Sequence, residues 1–366
     1  MRWDGSPAVA LLGANQRQLR GWSGELADWG AQLGGWSGGL GGRSGGLAGW
    51  GGGLADRSGG LAGWGGGLAG WGGGLADRVA GVLVHAVPQW QGALWPGARD
   101  RLVTGCRVLA ALAGEVLGTE VHEVPVAAAG SSTHAGSCAH VGSSTVDGIG
   151  NRQALIENRQ AQLAALEAPE GRVLTIGGDC GVDLVPIGVA RYRHGAGLAA
   201  VWFDAHADCN TAASSPSGAF HGMVLRSLLG DGDPDFAASP ALEPGRAVLA
   251  GTRAFDPAER RAVADGLVRH VPVPADPDTL RRTVADTGAA TVYLHLDLDV
   301  LDPAEFDGTH YQEPGGLTIG QLVAGIDSLS AFEITGAAIT ECAATEPADV
   351  LRLAPVLEAV GRLLRG

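Results

Sequence analysis

From Arg78 onward, short apolar runs rich in β-branched residues alternate with stretches that carry apolar residues at helical spacing. This alternation limits the fold more than any other feature. The runs at 79–84, 173–176, 198–203, 247–250, 291–296 and 334–339 are too continuously apolar for strands with one wet face, and they predict strands buried on both sides of a parallel sheet. Residues 318–329 and 348–364 carry apolar side chains at i, i+3, i+4, and 257–266 opens with Pro257 after an acidic residue, a helix-start signal. The expected class is therefore α/β, a mostly parallel sheet with helices on both faces, whose ligands bind at the carboxyl ends of the strands.

The preceding segment cannot share in that fold. Of the 61 glycines, 25 lie between Gly21 and Arg78, and leucine recurs every seventh residue from Leu26 to Leu75, with tryptophan three residues after five of these leucines. A heptad suggests a coiled coil, but each glycine inside a helix costs about 1 kcal/mol relative to alanine, and several per heptad outweigh the burial of one Leu and one Trp. Residues 1–78 read as a disordered low-complexity leader built from units such as LAGWGGG and LADRSGG, which leaves 79–366 as the folded domain. Within that domain the repeated GSST marks a duplicated loop insertion near 130–145. It gathers His134, Cys138 and His140, a trio that chance duplication and metal binding both explain.

Composition excludes several classes. A net charge of −14, with 25 cations that are all arginine and form no run, offers no basic face for nucleic acid. No 18-residue apolar stretch is available to span a membrane, and the apolar run near the N-terminus is too short for a signal peptide. Five cysteines, Cys106, Cys138, Cys180, Cys209 and Cys342, form no disulfide framework and suit a reducing compartment, so a cytoplasmic location is expected.

Acidic residues gather where the strands end. The run at 198–203 leads into Asp204, His206 and Asp208, and the run at 291–296 leads into Asp297 and Asp299. Residues two apart in extended chain share a face, so these side chains converge. Carboxylates brought together in that way repel one another unless cations lie between them. Carboxylate oxygen with imidazole suits Mn²⁺ or a similar ion, and shared carboxylates suit a pair about 3.5–4 Å apart.

The segments TIGGDCG (175–181), VWFDAHADCNT (201–211), SGAFHG (217–222), LHLDLDVLDP (294–303), GGLT (315–318) and TECAATEP (340–347) resemble, in order and spacing, the ureohydrolase family of arginases, agmatinases and formiminoglutamases. The resemblance implies a three-layer α/β/α sandwich, two manganese ions and hydrolysis of a guanidino C–N bond. It also implies a homo-oligomer, a trimer or hexamer. By the same resemblance Asp204 and Asp297 bridge the metals, Asp208 joins them on one, and His206 with Asp299 completes the other. His221 corresponds to the proton shuttle and Glu341 to the carboxylate that pairs with the guanidinium. Asp208 is counted with these two in the catalytic set.

One departure bears on the metals. The family supplies a histidine where this chain has Cys180, and a thiolate favours Zn, Co, Ni or Fe over Mn. His295 stands where the family usually has a small residue; replacement ligand and hydrogen-bonding support are both open. For the substrate, the resemblance to arginases implies Asn210 and Ser217 for an α-carboxylate and Asp256 and Glu259 for an α-ammonium, with Ala219 replacing a usual polar contact. Asp256 and Glu259 equally fit a helix cap. L-Arginine hydrolysis to L-ornithine and urea is the first expectation. Agmatine or a guanidino acid is the second, and a metal-impaired protein that binds a guanidino ligand without turnover is the third.

Overall fold

The computed structural model describes residues 81–128, 145–167 and 171–366. The expected leader 1–78 and, but for Thr145, the expected loop insertion near 130–145 lie outside the described residues. The described strands are β1 (Val82–Val87), β2 (Val121–Glu123), β3 (Thr145–Val146), β4 (Ile149–Gly150), β5 (Arg172–Gly177), β6 (Leu198–Phe203), β7 (Ala247–Ala250), β8 (Arg269–Val271), β9 (Thr291–Asp297) and β10 (Glu333–Thr340). Strands β3 and β4 form a separate hairpin, and the other eight make one sheet in the order β2-β1-β5-β10-β9-β6-β7-β8. Every neighbouring pair in that sheet is parallel.

Parallel neighbours cannot be joined by a hairpin, so helices carry the returns. They are α1 (Ala98–Leu117), α2 (Arg152–Ala165), α3 (Leu184–His194), α4 (Val224–Leu228), α5 (Pro257–Ala264), α6 (Pro277–Ala285), α7 (Ile319–Ser328), α8 (Pro347–Val350) and α9 (Ala354–Arg365). The strand period of two splits the sheet between two cores. Val201 and Phe203 of β6 pack in the layer that holds Leu109 of α1, Leu280 of α6, Leu322 of α7 and Val360 of α9. Ala200 and Trp202 pack in the opposite layer with Leu155 of α2, Ile187 of α3, Leu225 of α4 and Ala262 of α5. Helices on both faces of a parallel sheet, as the runs predict, make the three-layer α/β/α sandwich that the resemblance implies. Removing one such side chain, Phe203 for example, costs about 3–5 kcal/mol in transfer and cavity terms.

Two departures exceed a shift of one or two residues at an element's end. The first run pairs as Val82–Val87, later than 79–84, because the apolar pattern continues through Ala86 and Val87. The helix expected over 348–364 is divided: α8 passes through a 3₁₀ turn, Leu351–Leu353, before α9 begins. Pro355 has no N–H and crowds the preceding turn, so it starts a helix and cannot continue one. Among the described residues no helix is long and apolar enough to cross a membrane.

Candidate metal centre

The central strands β5, β10, β9 and β6 end side by side, and each delivers polar residues at its carboxyl end. TIGGDCG carries the end of β5 into a tight turn, where Gly178 is required because a Cβ there would collide with the Gln89 carbonyl oxygen. Asp179 then stays buried, accepting from Gln89 Nε2 (2.9 Å), Gly92 N (2.8 Å) and Gly181 N (2.9 Å). Burial and the nearby Glu341 charge push its carboxyl up to about 6. That scaffold places Cys180, 1% exposed. Its backbone N–H donates to Glu341 Oε1 at 3.2 Å, and its Sγ lies 3.1 Å from Asp297 Oδ2 and 3.2 Å from Thr340 Oγ1. Burial pushes this thiol well up, and the Asp297 charge adds to it, so the protonated thiol donates to Asp297.

Asp204, Asp208, Asp297 and Asp299 are all at least nine-tenths buried. Asp204 Oδ1 accepts from His206 N (2.6 Å) and its Oδ2 from Trp202 Nε1 (3.0 Å). Asp297 Oδ1 accepts from Asp299 N (2.8 Å), and Asp299 Oδ1 from Ala205 N (3.0 Å). His206 Nδ1 lies 2.9 Å from Asp299 Oδ2. Asp208 adopts a left-handed backbone, φ 50°, as does Glu341, φ 60°. Conformations of this kind cost about 1–3 kcal/mol and persist where surrounding structure imposes them, often at functional sites.

Among the described residues, three sets of donor atoms each lie within 4.8 Å of one another: Cys180, Asp204, Asp208 and His295; Cys180, Asp297 and Glu341; and Asp204, His206 and Asp299. Asp208 Oδ2, His295 Nε2 and Glu341 Oε2 are buried without a hydrogen-bond partner among the described residues. Burial, with the neighbouring carboxylate charges, pushes Asp208 and Asp297 well above the carboxylate range. Crowded acids with bare inward atoms offer the donors that a divalent ion would need, so these residues fit the pair of ions that the resemblance implies.

His221 sits in the 3₁₀ turn Phe220–Met223, with Nδ1 2.9 Å from Glu341 Oε1. Burial pulls its pKa down, but the charge and hydrogen bond of Glu341 more than offset that and hold it above its ordinary value. Asn210 Nδ2 donates to Asp256 Oδ2 at 2.9 Å, which joins two of the expected substrate contacts. Both oxygens of Glu259 are engaged by backbone, Oε1 by Cys209 N (3.1 Å) and Oε2 by Asp256 N (2.8 Å), the geometry of the helix start. Ser217 Oγ accepts from Ala219 N at 3.2 Å, and Ala219 is buried.

Sequence reasoning missed several neighbours. Tyr311 stands between the two site histidines, its ring 5.5 Å from that of His206 and 5.8 Å from that of His221. The signal was an aromatic in the loop joining LDLDVLDP to GGLT. Arg253 ties the same loop to the metal motif by donating to the carbonyls of Glu313 (2.6 Å) and Asp299 (2.8 Å). Asp183, buried beside His295, went unnoticed because nothing local links it to a partner so distant in sequence.

A model of the arginase family matches residues 107–349. An arginase of Bacillus caldovelox is 33% identical over 199 residues, covering 50% of this chain and 66% of that protein, just under two thirds of its length. An N(omega)-hydroxy-L-arginine amidinohydrolase of Streptomyces lavendulae is 30% identical over 198 residues, covering 54% of this chain and 69% of that one. The solved structure of the B. caldovelox arginase superposes with a TM-score of 0.65 over 78% of this chain and 98% of its own, at 23% identity. With the matched segment covering well over half of the sequence, this chain belongs to the arginase family.

Proposed function

We propose that the chain is a binuclear metal-dependent hydrolase of a guanidino substrate, and that the substrate is L-arginine, cleaved to L-ornithine and urea. The observation that carries this reading is Glu341 Oε2, a buried, unpartnered carboxylate oxygen beside the acidic metal-binding sets. A guanidinium is a planar cation that satisfies such an oxygen through charge-assisted hydrogen bonds. Asp204, Asp208, Asp297, Asp299 and His206, with Cys180, would hold two Mn²⁺, or Co, Ni, Zn or Fe given the sulfur. Two divalent ions, when bound, supply Lewis acidity and hydroxide at neutral pH.

The chain's own residues do the rest. Glu341 is fixed by Cys180 N–H and His221, so it orients the guanidinium without spending the bare oxygen. His221, whose pKa the Glu341 carboxylate holds above its ordinary value, gives its proton to the departing amine. Asn210 and Ser217 receive the α-carboxylate and Asp256 the α-ammonium. The relative named for N(omega)-hydroxy-L-arginine is consistent with a pocket for an α-amino acid carrying a guanidino head.

A second reading has its own support. Glu259 is occupied by backbone donors and Ala219 offers no polar group, which weakens recognition of the α-amino acid end and favours agmatine or a guanidino acid. Urea release from L-arginine, agmatine and 4-guanidinobutyrate, after loading with Mn²⁺, Co²⁺, Ni²⁺ or Zn²⁺, separates the readings. Highest kcat/KM on L-arginine is expected. Urea from none of the three, with metal bound, would overturn the hydrolase in favour of a ligand-binding relative.

A further inference from the structure

Cys180 stands where the resemblance implies an imidazole, and the structure brings another imidazole to the same place. We propose that His295, through Nε2, ligates one of the two divalent ions together with Cys180 Sγ, Asp204 and Asp208. The proposal rests on the binuclear reading above and concerns which side chains of this chain meet the ion.

His295 lies in the middle of the sheet, wholly buried, with Trp202 of β6 as its register neighbour. Its ring stacks on the Trp202 indole, 3.5 Å between centroids and 11° between planes. The same indole donates to Asp204 Oδ2, so one side chain sets the position of two donors. His295 Nδ1 is 2.6 Å from Asp183 Oδ2, and the other oxygen of Asp183 accepts from the Tyr293 hydroxyl at 3.2 Å. A buried carboxylate on one imidazole nitrogen fixes the tautomer and aims the other nitrogen, as it does for metal-ligating histidines. With the Nδ1 proton given to Asp183, the Nε2 lone pair points away from the carboxylate that holds the ring.

That nitrogen has no hydrogen-bond partner among the described residues. Among the described residues, His295 forms a set with Cys180, Asp204 and Asp208 in which one donor atom of each lies within 4.8 Å of the others. Asp208 Oδ2 in the same set is also buried and bare. Lone pairs of nitrogen, oxygen and sulfur facing one another repel, and a shared cation turns all of them into partners. A purely supporting role would use Nδ1 alone and leave Nε2 unpaired. One sulfur and one nitrogen with two carboxylates form a softer shell than carboxylates and imidazole alone, so this position should prefer Co²⁺ or Zn²⁺ over Mn²⁺. Binding there releases the Cys180 thiol proton to solvent as the metal–sulfur bond forms.

The test uses the full chain titrated with Co²⁺, reading bound metal per chain and the proton NMR signals shifted by the paramagnetic ion. Two bound ions and two exchangeable, shifted imidazole N–H signals are expected, one from His206 and one from His295. His295→Ala should lose one ion per chain, and Asp183→Asn should weaken one ion by about 10- to 100-fold while leaving the other unchanged. Two tightly bound ions with a single shifted imidazole N–H would overturn the proposal, as would unchanged affinity for both ions in His295→Ala. Should that variant not fold, the wild-type spectrum and Asp183→Asn decide. Fewer than two ions in the wild type would instead remove the binuclear reading, and the proposal with it.

Discussion

The two halves of the acidic centre treat their donor atoms in opposite ways. Around Asp204, His206 and Asp299 the protein supplies its own partners: backbone N–H groups cap Asp204 and Asp299, and His206 leans on Asp299. Around Cys180, Asp208 and His295, Asp208 Oδ2 and His295 Nε2 are buried and find no partner among the described residues. Both halves draw on β6 and β9, and the second adds Cys180 from the turn after β5. The difference teaches that a donor set can be pre-ordered by hydrogen bonds on one side and left in need of a cation on the other. The needy side is also the one where Cys180 stands in place of the histidine that the resemblance implies.

Substitution at the carboxylates at the junction of the halves should have the largest effect. Asp204→Ala or Asp297→Ala is expected to lower urea release by about 10³-fold or more and to reduce metal-dependent thermal stabilisation, because each removes a donor next to both halves. Near-normal turnover in either variant would break the two-ion picture. Next comes His221→Asn, expected to cost about 10²- to 10⁴-fold in kcat with bound metal unchanged. The pH profile sharpens this. His221 has its folded pKa raised, so its protonated, proton-donating form is full below its ordinary value near 6.5 and is lost as pH rises through the raised value. The wild type should therefore lose activity on the alkaline side, and a profile unchanged by His221→Asn would assign that limb elsewhere.

Cys180→His probes the needy half alone. Exchanging sulfur for nitrogen should raise Mn²⁺ affinity about 10-fold and move the preference away from softer ions, as read by competition between Mn²⁺ and Co²⁺. Identical preference in wild type, Cys180→Ser and Cys180→His would show that sulfur meets no metal. Smallest is Tyr311→Phe, at the rim between the halves. It keeps the ring beside His206 and His221 and removes only the hydroxyl, so KM should change by less than about tenfold with metal content untouched. A lost ion in that variant would place Tyr311 inside the metal machinery.

What the sequence disclosed follows from which forces act locally. The runs at 198–203 and 247–250 matched β6 and β7 end to end because both faces are buried and every residue must be apolar. Edge strands β2 (VHE) and β8 (RHV) escaped, since each pairs on one side only and carries polar side chains. Helix α1 escaped for another reason. It starts at Gly97 without a side-chain cap, and its interior Gly105 reads as a breaker. The structure shows why glycine is needed there: a Cβ at that position would strike the Cys342 carbonyl where the helix packs on the segment after β10. The acids of DAHAD and DLD were legible because charge next to an apolar run has no structural motive. Trp202 and Asp183 were not, because burial disguises an indole as core and a hydrogen-bond partner distant in sequence leaves no local trace.

The strand order has a consequence for the chain during its synthesis. β10, the last strand in sequence, lies between β5 and β9, so the middle of the sheet is the final part to be filled. Until residues 333–340 have left the ribosome, two parallel edges face each other unpaired, and Glu341 and Thr340 are not yet present to hold Cys180. Open edges of that kind recruit other strands. A nascent or truncated chain that stops short of β10 is thus an aggregation hazard, and no catalyst can form before the closing strand is seated.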